Sequence, residues 1–356
     1  MKEYSIGVLG GDGVGPEVVA EALRVLSVTE TIFGFKTKQT PFPFGAEHYL
    51  KTGEMMPDSA FDEIRGLRAV LFGAIGDPRI ETGKLEFAII AGMRFKLDLF
   101  VNLRPCKLYD ARFCPLKDKN PSDIDIMFVR ENTEDAYCGI HGFFKKGTPE
   151  EVATQTMLYT RKGTERVIRY AYELCKKRNA KKRLTCVDKA NAVRAQDIWT
   201  RTFAEVGREY PTIEQDHGYV DATCMWLVKN PEHYDTVVAP NLFGDIITDL
   251  SAQLVGGMGI AASGNIHPGK VSMFEPIHGS APKYANQNKA NPIATIMALS
   301  MMLEYIGEHE AALAVEEAVA GSMRSGKVKS LQAGVHKTDE LGSLICDELK
   351  RLGKKL

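Results

Sequence analysis

No stretch of this chain runs to 18 apolar residues, so no segment has the length and polarity of a membrane-spanning helix. The amino terminus, Met1-Lys2-Glu3-Tyr4-Ser5-Ile6-Gly7-Val8-Leu9, lacks the apolar core of a signal peptide and reads directly as a strand. Neither sign of charge is in excess. The 45 Lys+Arg against 46 Asp+Glu leave a net charge of -1, which removes the global basic field expected of a nucleic-acid binder. No Cys-x-x-Cys pair occurs among Cys106, Cys114, Cys138, Cys175, Cys186, Cys224 and Cys346, so neither a disulfide framework nor a thiolate zinc site is expected. Internal repeats and low-complexity tracts are missing as well. These absences point to a soluble protein of a reducing, cytoplasmic compartment, with no membrane and no nucleic acid among its partners.

What is present is an ordinary globular composition, 44% hydrophobic and 26% charged, in 356 residues, enough for two domains. Short apolar runs alternate with helical patterns. Strands are expected at 6–9, 69–72, 124–129, 184–187 and 236–239. Helices are expected from about Pro16 and over 164–177, 196–210, 292–305 and 310–323. In the third of these, Ile198, Trp199, Phe203 and Val206 fall at helical spacing. The alternation predicts an α/β fold with a mostly parallel sheet. The stretch 137–155, with Gly139, Gly142, Gly147, Pro149 and β-favouring pieces, interrupts the rhythm and reads as a protruding hairpin or arm.

Gly10-Gly11-Asp12-Gly13-Val14-Gly15 sits between a strand and a helix, where a dinucleotide fingerprint would. The register fails, because the third glycine counted from Gly11 falls on Pro16. An ordinary Rossmann site is therefore not expected.

Four other segments carry chemistry. Asp245 and Asp249, in Asn241-Leu242-Phe243-Gly244-Asp245-Ile246-Ile247-Thr248-Asp249, lie one helical turn apart inside an apolar run. Such carboxylates need a cationic partner, and oxygen donors suit a hard ion such as Mg²⁺ or Mn²⁺. Asp221 stands in similarly apolar surroundings. Taken singly, a D-x-x-x-D spacing is more often a solvated helix face. Arg94, Arg104 and Arg130, the last two at strand ends, are suited to gripping a di- or tricarboxylate. Lys189 follows a strand directly in Val187-Asp188-Lys189-Ala190-Asn191, and a nearby divalent cation would favour its neutral, proton-accepting form. Glu275-Pro276-Ile277-His278-Gly279-Ser280-Ala281-Pro282-Lys283-Tyr284, followed by Ala290-Asn291-Pro292, offers a loop whose N–H groups can cradle an anion.

Together these segments resemble the β-decarboxylating dehydrogenase family, whose members act on isopropylmalate, isocitrate, homoisocitrate, tartrate or D-malate. The resemblance covers essentially the whole chain. It rests on Asn102-Leu103-Arg104-Pro105, Val129-Arg130-Glu131-Asn132-Thr133-Glu134, Asp188-Lys189-Ala190-Asn191, Asn241-Leu242-Phe243-Gly244-Asp245 and His278-Gly279-Ser280-Ala281-Pro282 in that order. It implies an isopropylmalate/isocitrate dehydrogenase-like two-domain fold, with 1–99 plus 256–356 as one domain, 100–255 as the other and the active site in the cleft. It implies that Arg94, Arg104 and Arg130 hold the malate carboxylates and that Asp221, Asp245 and Asp249 bind Mg²⁺ or Mn²⁺. Lys189 would accept the C2 hydroxyl proton and Tyr137 would protonate the enol carbon after carbon dioxide leaves. Cofactor contacts are implied for Asn191, Glu275, His278, Gly279, Ser280, Ala281, Lys283, Tyr284 and Asn291. The resemblance further implies a homodimer with shared active sites, Lys189 and Asp221 serving the neighbour and the 137–155 arm lying in the interface.

Two departures refine the expectation. NAD-using relatives carry an aspartate where Lys283 stands, whereas Lys283-Tyr284 is similar to the NADP-using isocitrate dehydrogenases, since lysine favours a 2′-phosphate. The further Tyr/Arg pair of those enzymes has no match in Lys329-Ser330-Leu331-Gln332-Ala333-Gly334, so the NAD(P)⁺ lean is towards NADP⁺ with NAD⁺ open. Isocitrate-type relatives place a serine and an asparagine where Ala88 and Ile90 fall, and an apolar wall cannot pair with a γ-carboxylate. Isopropylmalate is the first expectation, with Ile90 lining the substrate, and a tartrate, D-malate or specialised malate analogue the second. A regulatory subunit should lack an aspartate, the lysine or the tyrosine, and all are present. Metal-dependent hydrolysis would use the aspartates and leave Tyr137, Lys189 and the cofactor loop unexplained.

Overall fold

The computed structural model describes residues 2–354. Twelve strands alternate with helices: β1 (Lys2–Gly11), β2 (Phe35–Pro41), β3 (Ala69–Ala74), β4 (Val101–Lys107), β5 (Asp125–Glu131), β6 (His141–Phe144), β7 (Val152–Gln155), β8 (Arg183–Asp188), β9 (Glu214–Tyr219), β10 (Thr236–Ala239), β11 (Ala262–Ile266) and β12 (Ser272–Pro276). The five expected strands are β1, β3, β5, β8 and β10. Those the sequence pattern passes over have a physical reason to be hidden. β2 is polar on its exposed positions, β4 carries Pro105, β9 reads Glu-Gln-Asp-His-Gly-Tyr, and β11 is built from small residues.

The chain divides into two compact units, Met1–Leu99 with Lys107–Ser122 and Ala252–Leu356, and Phe100–Cys106 with Asp123–Ser251. In the first unit β1 pairs in parallel with β2 and β3, and β12 in parallel with β3, while β11 joins β12 antiparallel. The helix Ile293–Ile306 is buried on nearly every face, which explains why it is apolar all round rather than in a stripe. Leu9, Phe42, Phe61, Phe72, Met93, Leu99 and Met273 form one continuous core cluster. The stretch Lys107–Ser122 clusters with this unit because Lys107 and Tyr109 both donate to Glu316, at 2.6 and 3.1 Å, and Arg112 donates to the Met323 carbonyl at 2.6 Å.

In the second unit β10 is parallel to β5 on one side and to β8 on the other, β8 is parallel to β9, and β4 lies beside β5. The helices Arg161–Arg178 and Asp197–Gly207 pack together. Trp199, Phe203 and Val206 are buried at the spacing the sequence predicted, and the rings of Tyr172 and Phe203 stack at 5.4 Å. The 137–155 stretch contains a two-stranded antiparallel hairpin, β6–β7, in a sheet of its own, with Phe143, Phe144 and Val152 exposed.

The glycine-rich turn after β1 brings two backbones into contact. The Val14 N–H donates to the Ser280 carbonyl at 2.8 Å, and a Cβ on Gly13 would stand 2.0 Å from that carbonyl oxygen, at a φ of +59°. Asp12 completes the junction, its carboxylate accepting from the Ala46 N–H at 2.6 Å and the Gly76 N–H at 3.0 Å. Gly13→Ala should therefore destabilise the protein by about 2–4 kcal/mol in urea denaturation, clash added to conformation. Gly34→Ala, at φ +73° with nothing within 4 Å, should cost only about 1–2 kcal/mol. Equal losses would show that contact with the 280 loop contributes nothing.

Candidate active site

In the second unit Arg130 lies at a strand end, the position at which open α/β sheets present ligands, whereas Arg104, expected at a strand end, stands midway along β4 because the strand runs on through Pro105 to Lys107. Arg104 projects from β4, Arg130 is the penultimate residue of β5, and the helix Asn241–Leu254 starts two residues after β10. Arg130 is only 2% exposed, so its charge requires partners. Its Nε donates to the Asn241 backbone carbonyl at 2.9 Å and to Asn241 Oδ1 at 3.0 Å, a second nitrogen donates to the same Oδ1 at 2.7 Å, and the other end meets Asp245 Oδ1. Arg104 is braced by Asn102 Oδ1 at 2.7 Å and reaches Asp245 at 3.1 Å, Asp249 at 3.2 Å and the Thr248 hydroxyl at 2.8 Å. The second oxygen of Asp245 accepts from the Tyr137 hydroxyl at 3.0 Å, and the Arg130 guanidinium lies 5.4 Å from the Tyr137 ring centre. Burial pushes the Asp249 carboxyl above its usual pKa, and Arg104 is the main influence pulling it back down. The cationic partners that the D-x-x-x-D spacing demanded are thus two arginines.

Lys189 follows β8 directly, and its Nζ pairs with Asp221 Oδ1 at 2.6 Å. That ammonium holds the Asp221 carboxyl below its ordinary pKa. Asp188, fully buried beside it, accepts from the Ala190 N–H at 3.0 Å and the Thr200 hydroxyl at 2.9 Å and pairs with His217 Nε2 at 2.9 Å. Asn191 is exposed on the turn that follows. Within this chain Asp221 does not join Asp245 and Asp249. Among the described residues no three His, Cys, Asp or Glu side chains are grouped to hold a metal ion. The fit to a hard divalent cation rests on the donor set itself: Asp245 and Asp249 present carboxylate oxygens on one helical face, and Asp221 adds one elsewhere in the unit.

In the first unit the chain passes from Lys84–Glu86 through one wide turn, a π-helix over Phe87–Ala91, into the short helix Gly92–Lys96. Such turns recur at functional positions. Ala88 and Ile90 are partly buried against the core, and Phe87 is 61% exposed. Arg94 is oriented from behind. Its Nε donates to Asn265 Oδ1 at 3.0 Å, and it meets Glu275 Oε1 at 3.5 Å. Asn265 Nδ2 donates to the same Glu275 oxygen at 2.7 Å, so Glu275, on β12, is committed to this cluster.

The loop after β12 lines a cavity of about 660 Å³ together with Ile75, Gly76, Asp77, Leu85 and Glu86, its own contribution running from Gly279 to Lys283. Ser280 is buried and donates to the Gly76 carbonyl at 2.6 Å, and Ala281 takes a left-handed conformation at φ +40°. Lys283 is exposed, its ammonium 4.8 Å from the ring centre of Tyr284. Burial holds the His278 imidazole below its usual pKa, and its Nε2 is buried without a hydrogen-bond partner. A buried nitrogen left in this state, beside a cavity-lining loop, fits a site meant to receive a polar cofactor. The Asn291 side chain serves the fold, donating to the Leu331 carbonyl at 3.0 Å and accepting from the Ile293 N–H at 2.9 Å at a helix start. Sequence reasoning missed Asn265, Asp77 and Glu86, which stand in none of the motifs, and gave no role to Thr248, which stands in one but meets Arg104 from far away in the chain.

A family model described as isocitrate/isopropylmalate dehydrogenase matches residues 5–345. The chain is 45% identical over 355 residues to a 3-isopropylmalate dehydrogenase of Thermobifida fusca, covering 99% of both. It is 46% identical over 321 residues to one of Frankia casuarinae, covering 89% of this chain and 92% of that one. Among solved structures, isocitrate dehydrogenase from Methylococcus capsulatus matches with a TM-score of 0.87 at 34% identity, covering 98% of this chain and 99% of that one. A β-decarboxylating dehydrogenase from Thermococcus kodakarensis, in its apo form, matches with a TM-score of 0.79 at 31% identity, covering 98% and 97%.

The electrostatics of the arginine–aspartate cluster are open to direct measurement. Arg104→Met removes the main charge that offsets burial at Asp249, so the Asp249 carboxyl should titrate at higher pH than in the wild type, read by carboxyl-carbon NMR. A downward or absent shift would mean that Arg104 does not govern that carboxylate.

Proposed function

Because the chain belongs to the isocitrate/isopropylmalate dehydrogenase family, we propose that it oxidises 3-isopropylmalate at C2 and releases the C3 carboxylate as carbon dioxide. The observation that carries this reading is the cluster of Arg104, Arg130, Tyr137, Asp245 and Asp249, in which carboxylate-gripping cations, candidate metal ligands and a proton-donating phenol share direct contacts. Arg94, Arg104 and Arg130 bind the substrate carboxylates through paired N–H donors. Asp245, Asp249 and Asp221 are the residues that would hold Mg²⁺ or Mn²⁺, which supplies Lewis-acid chemistry when bound. The loop at 278–284 would hold the nicotinamide cofactor, which supplies the hydride acceptor. Lys189 takes the proton from the C2 hydroxyl as hydride leaves C2. Loss of carbon dioxide leaves the electron pair of the broken C–C bond on an enolate, and Tyr137 delivers a proton to its C3.

Ala88 and Ile90 favour an apolar C3 substituent, since they offer nothing to pair with a γ-carboxylate. Burying an isopropyl group contributes on the order of 2 kcal/mol towards that choice. Lys283, exposed on the loop, favours NADP⁺ over NAD⁺ by attraction to a 2′-phosphate. All seven cysteines are free thiols, in keeping with a cytoplasmic enzyme.

The active unit we propose is a homodimer with shared sites. The helix Val220–Lys229, which carries Asp221, leaves Met225 74% exposed together with Trp226 and Val228, and the β6–β7 hairpin leaves Phe144 65% exposed. Apolar side chains of this size on one unit are what a second copy would cover.

Absorbance at 340 nm should rise with 3-isopropylmalate, a divalent cation and NADP⁺, and far less with isocitrate. Tyr137→Phe should lower kcat by roughly 10² or more. Lys283→Asp should move the NADP⁺/NAD⁺ preference by about tenfold or more towards NAD⁺. No turnover across malate, tartrate, isocitrate and isopropylmalate would sink the reading.

Sharing of sites is tested by mixing. Tyr137→Phe and Lys189→Met homodimers, each strongly impaired, should regain activity when subunits are exchanged, because one site of each hybrid is intact. Persistent inactivity of hybrids confirmed by mass spectrometry would show that each chain supplies its own lysine.

A further inference from the structure

Asp135, two residues before Tyr137, is fully buried and holds φ +69° and ψ −144°, a conformation that favours glycine. A side chain kept at such a position must be held by its surroundings, and this one is held on every side. Its Oδ1 accepts from the Ala136 N–H at 2.8 Å and from the Tyr159 hydroxyl at 2.7 Å. Its Oδ2 accepts from the Leu242 N–H at 3.0 Å, at the start of the helix that carries Asp245 and Asp249. Its backbone N–H donates to the Leu158 carbonyl at 2.8 Å. The Tyr159 oxygen in turn receives a hydrogen bond from Gln196 Nε2 at 2.7 Å, and Gln196 Oε1 receives one from the backbone N–H of Lys189 at 2.7 Å. Gln196 is itself fully buried.

The two ends fix the sense of this chain. A backbone N–H can only donate and a carboxylate can only accept, so Gln196 must turn its oxygen to Lys189 and its nitrogen to Tyr159. Tyr159 must then give its proton towards Asp135. Burial and the Asp135 charge both push the Tyr159 phenol well above its ordinary pKa, which keeps that proton in place. No member can reverse without leaving a buried group unpaired.

We propose that Asp135, Tyr159 and Gln196 are positioning residues, a one-directional hydrogen-bonded brace that fixes the Tyr137 turn and the aspartate helix of one site and the backbone of the Lys189 that serves the neighbouring site. The proposal rests on the roles assigned above to Tyr137 and Lys189. None of the three touches substrate. Their contribution is geometric, because displacement of a proton donor or acceptor by about an ångström costs rate without weakening substrate binding.

Tyr159→Phe deletes one oxygen and severs both links, and Gln196→Leu severs the link to Lys189. Each variant should lower kcat about tenfold, leave the KM for 3-isopropylmalate within about twofold, and displace the limbs of the kcat–pH profile. The double variant should be no slower than the worse single one, since both cut the same brace. Hydrogen–deuterium exchange on the full-length protein gives a readout independent of turnover: Tyr159→Phe should speed exchange at both 135–138 and 189–192, with the hairpin at 141–155 unchanged.

Wild-type kcat and pH profile in an active Tyr159→Phe variant, or losses that multiply in the double variant, would overturn the proposal. A wild type inactive on every malate derivative would sink the catalytic reading instead. The exchange pattern would then decide the brace alone, and unchanged exchange at 189–192 would count against it.

Discussion

The burial of the Arg130 guanidinium is the constraint on which the second unit is organised. A charge exposed by only 2% must be surrounded by acceptors, and the chain supplies them from one place, the first turns of the helix Asn241–Leu254. Asn241 gives its backbone and side-chain oxygens, and Asp245 gives a carboxylate. For the guanidinium to lie there, residue 244 must have no side chain, since a Cβ on Gly244 would come within 2.6 Å of Arg130 Cγ. Once the helix is fixed this way, Asp245 is aimed at Tyr137 and Asp249 at Arg104. The repulsion between two carboxylates one turn apart is offset by the two guanidinium groups, so the four charges balance and the arrangement is held.

The first unit meets a comparable demand by different means. The loop that lines its cavity has to stand close to the turn after β1, and direct backbone contact accomplishes this. Gly13 admits the Ser280 carbonyl, and Asp12 ties down two neighbouring loops through their N–H groups. A glycine run that would serve a pyrophosphate in a Rossmann fold serves here to dock one loop on another. Arg94 is likewise oriented from the interior, by Asn265 and Glu275 on adjacent strands, so its direction is set by the sheet rather than by the mobile end of its own side chain.

Much of this was legible in the residues alone. The short apolar runs and the helical apolar patterns located five strands and the helices that pack on them, because burial leaves a direct imprint on composition. The strands it passed over carry polar, proline-containing or small-residue text, and they exist because neighbouring strands supply their hydrogen bonds. Motifs located Arg104, Arg130, Lys189, Asp221, Asp245 and Asp249, since charged residues in apolar runs are costly without partners and so announce themselves.

The sequence by itself determined the α/β class, the family likeness and the residue types available for acid–base, metal and carboxylate chemistry, all of which follow from local pattern and short motifs. Only the tertiary structure decided who pairs with whom. Lys189 meets Asp221, Asp245 is shared among Arg104, Arg130 and Tyr137, and donation runs one way from the Lys189 backbone through Gln196 and Tyr159 to Asp135. Most of these partners lie tens of residues or more apart, and hydrogen bonding is a short-range, directional interaction. Its pattern is set by three-dimensional proximity, which no spacing along the chain encodes.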